Sequence, residues 1–314
     1  MIGNQRFPAA VRRRGHFMTS CLGPLLACTL ALVLLAGCGE SDTTGGDEAA
    51  TFTFTAIPDQ NEQRLRERFG QVADYLSEEL GVPVEYVPVK SYAAAVTAFA
   101  NDQVQLAWFG GLSGVQARQR VEGSRAIAQG EEDQAFRTYF IANASTGLEQ
   151  SDDFPDDIAG KTFTFGSKGS TSGRLMPEYY VREHFDKSPD EVFERVGYSG
   201  DHTRTIQLVQ SGAYQVGAVN FKVWDSETER GVIDTEKVQV IWETPTYPDY
   251  QWTIRGDVDE TWQDGFADRV REALLAMDDP KLLEAFPRSA FVPADNDDYS
   301  PIRETGEEIG LITP

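Results

Sequence analysis

The chain has 314 residues, with 28 Lys and Arg against 50 Asp and Glu and a formal net charge of −22. Nucleic acid is held by neutralising its phosphates, and so acidic a chain offers no basic face for that. Three Cys and three His also leave little material for a thiol nucleophile or a Cys/His metal centre.

Arg6, Arg12, Arg13 and Arg14 precede an apolar run from Leu22 to Leu35. The run is shorter than the ~20 apolar residues that span a bilayer. Basic start, short apolar core and small residues together have the form of a secretory signal. Residues 1–37 are therefore expected to be removed, taking Cys21 and Cys28 with them. The mature chain keeps only Cys38, so it forms no internal disulfide and has no catalytic thiol or Cys-based metal site. His184 and His202 alone make a His-rich metal site unexpected, and no metal or cofactor is expected. Loss of four Arg and no acid brings the net charge to −26. The stretch Leu35-Ala36-Gly37-Cys38 resembles the lipobox of bacterial lipoproteins. It implies a lipid on Cys38 and a protein held at the outer face of a cell membrane, toward the periplasm or the extracellular side. Residues 38–50, rich in Gly, Thr, Ser and acid, read as a flexible tether.

The remaining chain is long enough for two domains with cores. Its acids are dispersed (Glu131 to Asp133, Asp152-Asp153, Asp156-Asp157, Asp295 to Asp298), which describes a solvated surface. Seven Lys against 21 Arg in the whole sequence, beside so much acid, suggests salt adaptation.

A βα rhythm follows. Phe52 and Phe54 alternate in a strand from Thr51 to Ala56. The next helix aligns Leu65, Phe69, Val72, Ala73, Leu76 and Leu80, and Gly81 and Pro83 end it. Val84 to Val87 is a strand, Ser91 to Ala100 a helix, Val104 to Trp108 a strand, and a further helix starts at Leu112. Arg125 to Ala128 and Tyr139 to Ala142 read as strands. Beyond the acidic loop at Asp152 to Asp157, Lys161 to Phe165 is a strand and Thr171 to Phe185 a helix. Ser188-Pro189-Asp190-Glu191 caps another. Thr203 to Ser211 is a helix, Val216 to Asn220 a strand, Phe221 to Arg230 a helix and Val238 to Trp242 a strand. The chain closes with Trp252 to Ile254 and one long helix from Asp259 to Met277.

Strands alternating with helices imply an α/β fold of parallel sheets covered on both faces. Two such sets predict two α/β lobes with a ligand cleft between them. Crossings near Asn143 and Tyr247 assign 51–142 plus 248–314 to one lobe and 143–247 to the other. Ligands of open α/β sheets sit beyond the carboxyl ends of the strands, so the chemistry is sought in those loops.

The richest is Gly166-Ser167-Lys168-Gly169-Ser170-Thr171-Ser172-Gly173-Arg174. Its hydroxyls and the free N–H groups of a helix start favour an anion, although Ser170 or Thr171 could serve only as a helix cap. Elsewhere Asp59 follows the first strand, Tyr92 opens the helix after the second, Trp108 ends the third, Asn220 ends the Val216 strand and Tyr247 lies in a crossing. For Trp108 and Tyr92 core packing is the competing reading, and for His202 a plain helix start. Enzyme motifs fail at single positions. A nucleophile elbow needs Ser where Thr171 stands, and a P-loop needs Gly where Pro155 stands. His202 beside Asp201 could serve a hydroxyl nucleophile, but adjacent residues rarely orient one another. An ester hydrolase is therefore the weakest alternative, and no catalytic residue is assigned.

The lipobox, Tyr92 after Val84 to Val89, Leu106-Ala107-Trp108-Phe109-Gly110, Tyr139-Phe140-Ile141, Ser170-Thr171-Ser172-Gly173, His202 and Ala218-Val219-Asn220 occur in one order. Over about residues 52–280 they resemble the phosphate/phosphonate/phosphite-binding proteins of ABC importers. Ala56 to Asn61, Ala107 to Gly111 and Thr244 to Tyr250 are most similar to a subgroup described as selenate-binding. The resemblance implies a type II periplasmic-binding-protein fold and a monomer that captures a tetrahedral oxyanion without chemistry. It implies delivery to an ABC permease and its ATPase, with the membrane met only through the lipid. A ligand-sensing lipoprotein that signals to a membrane receptor is the alternative. By position, Ser170, Thr171 and Ser172 would hold the oxygens, Tyr92, Tyr139 and His202 would add donors, and Trp108 would wall the pocket. Asp59 and Tyr247 are further candidates. Asn220 stands where relatives that bind aminophosphonates can carry an acid. A site of donors alone suits a fully deprotonated anion such as selenate, whereas hydrogen phosphate needs one acceptor. Asn220 therefore predicts an inorganic oxyanion over an aminophosphonate, and Asp59 keeps phosphate in view.

Overall fold

The computed structural model describes residues 50–313. The leader, Cys38 and the tether up to residue 49 lie outside the described residues. Among those described, no helix is long and apolar enough to cross a membrane.

The chain builds β1 (Phe52–Ala56), β2 (Val84–Tyr86), β3 (Leu106–Phe109) and β4 (Arg125–Gly130). It crosses to β5 (Thr138–Asn143), β6 (Thr162–Phe165), β7 (Arg195–Tyr198), β8 (Val216–Asn220) and β9 (Val238–Glu243), then returns for β10 (Gln251–Ile254) and β11 (Phe291–Pro293). Two sheets result, ordered β11-β4-β10-β3-β1-β2 and β7-β6-β8-β5-β9. Each carries its own buried apolar core, with Phe54, Phe69, Trp108 and Trp252 in the first lobe and Phe140, Phe163, Val216 and Trp242 in the second. Helices form where the apolar period requires them. The helix Glu62–Leu80 buries Leu65, Phe69, Val72, Ala73, Leu76 and Leu80. Asn61 Oδ1 caps it at Arg64 N, and Gly81 at φ 69° closes it.

Three expectations need correction. The sheets are mixed. β1 runs parallel to β2 and β3, and β6 to β7 and β8, whereas β10 is antiparallel to β3 and β4, and β5 to β8 and β9. The reason is geometric: strands of βα units end at the cleft, while β5 and β10 enter from the hinge and must start there. Accordingly β5 belongs to the second sheet, so the first crossing precedes Thr138 and does not follow Ala142. Finally, the long terminal helix is two helices, Val258–Trp262 and Phe266–Ala276. Gln263 and Gly265 take φ of 82° and 83° between them, and the Asp259 carboxylate accepts from Gly265 N and Ala267 N, starting the second helix afresh.

Candidate functional site

The carboxyl ends of the parallel strands converge where the lobes meet. After β6 the loop Gly166–Ser170 leads into a π-helical turn, Thr171–Leu175, in which Leu175 N bonds to Ser170 O at 3.0 Å. Ser170 Oγ accepts from Gly173 N at 2.9 Å. A wide first turn with free N–H groups is a ready anion cradle. Gly173 keeps it tight: a Cβ there would stand 3.0 Å from both His202 Cε1 and Ser170 Oγ.

His202 opens the helix His202–Gln210, which follows β7, and is 1 % exposed. Asn220 N donates to its Nδ1 at 3.3 Å. Nδ1 is thus an acceptor, and the ring proton of the neutral form sits on Nε2. Burial pushes the ring's pKa down to about 3, so it is a neutral donor at physiological pH.

The first lobe supplies Tyr92, Asp59, Asp249 and Tyr250, all buried. Tyr250 Oη donates to Asp59 Oδ2 at 2.9 Å and accepts from Asn220 Nδ2 at 3.0 Å. Asp249 Oδ1 accepts from Gly111 N at 2.9 Å. The Thr171 hydroxyl lies beside it, itself accepting from Leu112 N at 3.0 Å. Burial raises Asp59 to about 6 and Asp249 to about 7, partly offset at Asp59 by the Tyr250 hydrogen bond and at Asp249 by Thr171. Beneath them Arg288 pairs with Asp133 through Nε and Nη2, at 2.8 and 2.7 Å. Its guanidinium lies 5.0 Å from the Tyr250 ring centre. This fixed cation lowers both carboxyls somewhat.

Four buried atoms in this cluster have no hydrogen-bond partner among the described residues: Tyr92 Oη, Ser172 Oγ, His202 Nε2 and Asp249 Oδ2. Each orphaned polar group costs about 1–3 kcal/mol. Three hydroxyl or imidazole donors with one carboxyl oxygen suit an oxyanion that still bears a proton.

The structure thus brings together Tyr92, Ser170, Thr171, Ser172, His202 and Asp59. Tyr247 sits at the edge, its hydroxyl 2.5 Å from Thr138 Oγ1, which donates to Ser172 O at 2.9 Å. Asn220 lies in the cluster, but Oδ1 caps the helix Phe221–Glu229 at Lys222 N and Val223 N and Nδ2 serves Tyr250. It ties the lobes together more than it presents a donor. Trp108 stacks at 5.5 Å on Tyr250, backing that ring from within the core. Tyr139 is not in the cluster. Strand alternation points Thr138 at Ser172 and turns Tyr139 to the opposite face, 6.1 Å from the Phe221 ring. Asp249, Tyr250 and Thr138 were not singled out by sequence. Their signal is their place at the entry to strands that come from the hinge, Thr138 as the first residue of β5 and Asp249 and Tyr250 just before β10.

The lobes touch through Arg64 Nη1 and Glu227 Oε1 at 2.5 Å, and through His202 N and Asp59 O at 2.9 Å. Two α/β lobes meeting on a buried, hydroxyl-rich site define a solute-binding protein of the periplasmic type. The description "ABC transporter, phosphonate, periplasmic substrate-binding protein" matches residues 54–299, and the chain belongs to that family. It is 37% identical over 264 residues to the probable ABC transporter phosphite binding protein PhnD1 of Prochlorococcus marinus (strain MIT 9301), covering 82% of this chain and 89% of that one. The structure of PhnD1 with methylphosphonate aligns with TM-score 0.79 at 36% identity, over 83% of this chain and 99% of that one. A binding-protein component of an ABC phosphonate transporter from Pseudomonas aeruginosa shares the fold, with TM-score 0.72, 22% identity and coverage of 82% and 86%. Neither the family description nor these relatives name selenate.

Proposed function

We propose that this protein captures a small phosphorus oxyanion of the phosphite or alkylphosphonate class, in a form that carries one exchangeable proton, and delivers it to an ABC permease. The observation that carries the reading is the set of partnerless buried atoms: Tyr92 Oη, Ser172 Oγ and His202 Nε2 as donors, with Asp249 Oδ2 as the single acceptor. A carboxyl raised to about 7 shares one proton with the ligand near neutral pH. Selenate and sulfate have no proton to give, so they are held only while Asp249 keeps its own proton and they meet a like charge once it ionises. The acceptor expected of Asp59 is better matched by Asp249, because Asp59 Oδ2 already accepts from Tyr250 whereas Asp249 Oδ2 has no partner among the described residues. The likeness to PhnD1 supports the same ligand class. Close packing supports a small ligand: a Cβ at Gly169 would stand 3.0 Å from Tyr92 Cβ, and one at Gly110 would stand 3.1 Å from Asp249 Oδ1.

The anchor at Cys38 belongs to this reading. A dozen tether residues would keep the receptor near its permease at raised effective concentration. A thermal-shift panel of phosphite, methylphosphonate, phosphate, sulfate and selenate tests the ligand class. Only ligands that bind the folded form raise the melting temperature. The largest shifts are expected with the first two, and a selenate shift larger than either contradicts the proposal.

A further inference from the structure

A second cavity of about 420 Å³ opens beside the site, walled by Ser91 and Gln116 of the first lobe and by Ser167, Lys168, Gly169 and Tyr198 of the second. It lies where the lobes part. Gly169 packs closely on Tyr92 at its wall, since a Cβ on that glycine would stand 3.0 Å from Tyr92 Cβ. The next residue is Ser170, the cap of the anion cradle.

Among the described residues, Lys168 is the one charged side chain that lines this cavity, on a strongly acidic protein, and Arg174 lies behind it. Lys168 Nζ sits 4.9 Å from the Tyr198 ring centre, and the Arg174 guanidinium lies 4.8 Å from the same ring. Arg174 is paired with Glu178, which Arg182 also holds at 2.6 Å, and Asp190 acts on Arg174 from further off. Lys168 has no carboxylate within ion-pair distance among the described residues. An exposed lysine ordinarily roams in solvent, but an aromatic face within ~6 Å holds it. Tyr198, 40 % exposed, is available for that because its ring stays at the surface.

A chain with net charge −22 repels a phosphorus oxyanion at long range, and a local positive charge within a Debye length of about 8–10 Å decides the final approach. We propose that Lys168, held on the Tyr198 ring, is the collecting site for the incoming oxyanion: it binds the anion at the cleft mouth and hands it to the Ser170–Ser172 turn as the lobes close. Lys168 thereby sets the association rate and leaves the closed complex untouched. This inference rests on the oxyanion reading above.

Stopped-flow tryptophan fluorescence with methylphosphonate as the probe separates the two. Wild type, Lys168→Gln and Lys281→Gln are compared at about 0.1 M and about 1 M salt. Lys281 is exposed on the short helix Pro280–Leu283 of the first lobe, outside the cavity, so its variant makes the same change in net charge. At the lower salt K168Q should slow association about threefold, a size expected for one charge acting across a few ångströms of water. The slowing should vanish at the higher salt, with the dissociation rate unchanged and K281Q like wild type. The proposal is overturned if association in K168Q equals that of wild type, if K281Q slows it equally, or if the change appears in dissociation. No binding by wild type, seen equally in calorimetry, would instead overturn the oxyanion reading itself.

Discussion

The backbone N–H of Asn220 points at Nδ1 of His202 across 3.3 Å, and this contact assigns the imidazole's proton to Nε2. A buried histidine with that tautomer is a donor that neither charges nor needs a counter-ion. The consequence can be read from stability against pH. The unfolded chain protonates His202 near its ordinary 6.5, and the folded one only near 3. Between those values acid favours the unfolded chain. The residue's contribution is whole above 6.5 and falls with pH, by roughly 1.4 kcal/mol for each unit. Asp59 and Asp249 act the other way. With 3.8 raised to about 6 and about 7, their contribution is whole below 3.8 and is lost as pH rises through those values. His202→Gln removes only the first slope. Urea unfolding at pH 7, 6, 5 and 4 should show the variant gaining on wild type as pH falls. A constant difference over that range contradicts a neutral buried imidazole.

Ser172 is fully buried, and its Oγ has no partner among the described residues. A hydroxyl that forms no bond of its own can be deleted with little loss of folding, and Tyr247, whose hydroxyl lies nearby, keeps its Thr138 partner. Ser172→Ala should keep its apo melting temperature within about 2 °C and weaken methylphosphonate binding about 10- to 100-fold, a charge-assisted hydrogen bond being worth about 1.5–3 kcal/mol. Calorimetry and thermal melting check the two halves. A large fall in apo stability with unchanged affinity assigns the hydroxyl to structure.

Arg64 and Glu227 join opposite lobes, and Glu227 is 1 % exposed. Because the pair bridges the lobes, opening of the cleft would break it. Arg64→Ala should therefore reduce affinity about three- to tenfold, a cost of about 1 kcal/mol charged to the closed state. Small-angle scattering should show a larger radius of gyration at subsaturating ligand. Equal affinity in the variant means that the pair contributes nothing to closure.

Arg288 is buried against Asp133, and Asp133 O accepts from Asp249 N at 3.0 Å. The ion pair thus underlies the strand that brings Asp249 and Tyr250 to the cleft. Arg288→Ala strands a buried carboxylate and should cost about 3–5 kcal/mol of stability, with a matching fall in denaturant midpoint. A loss below ~1 kcal/mol contradicts that role.

Much of this was legible in the chain. The meeting of Ser170 to Ser172, His202 and Tyr92 in one cluster could be anticipated because each begins a helix after a parallel strand, where ligands gather. The same rule was blind to Asp249 and Tyr250, which precede an antiparallel strand whose direction only the sheet reveals. Tyr139 lies outside the cluster, one residue on from Thr138. On a strand that step reverses the face, and Thr138 holds the inward position. The break at Gln263 to Gly265 was hidden because the apolar period continues on both sides, while the stop is set by positive φ and a carboxylate cap.

The ligand class rests on Asp249. Calorimetric titration at pH 7 with methylphosphonate, phosphite, sulfate, selenate and 2-aminoethylphosphonate, on wild type and Asp249→Asn, tests it most directly. Asparagine keeps an oxygen for Gly111 N but cannot share a proton as the carboxyl does. Wild type should bind phosphite and methylphosphonate at least about 100-fold more tightly than sulfate, selenate or the aminophosphonate. D249N should narrow the gap to the fully deprotonated anions by about tenfold or more, on the order of 1.4 kcal/mol. Tightest binding of selenate or sulfate by wild type, or an unchanged preference in D249N, would contradict the account.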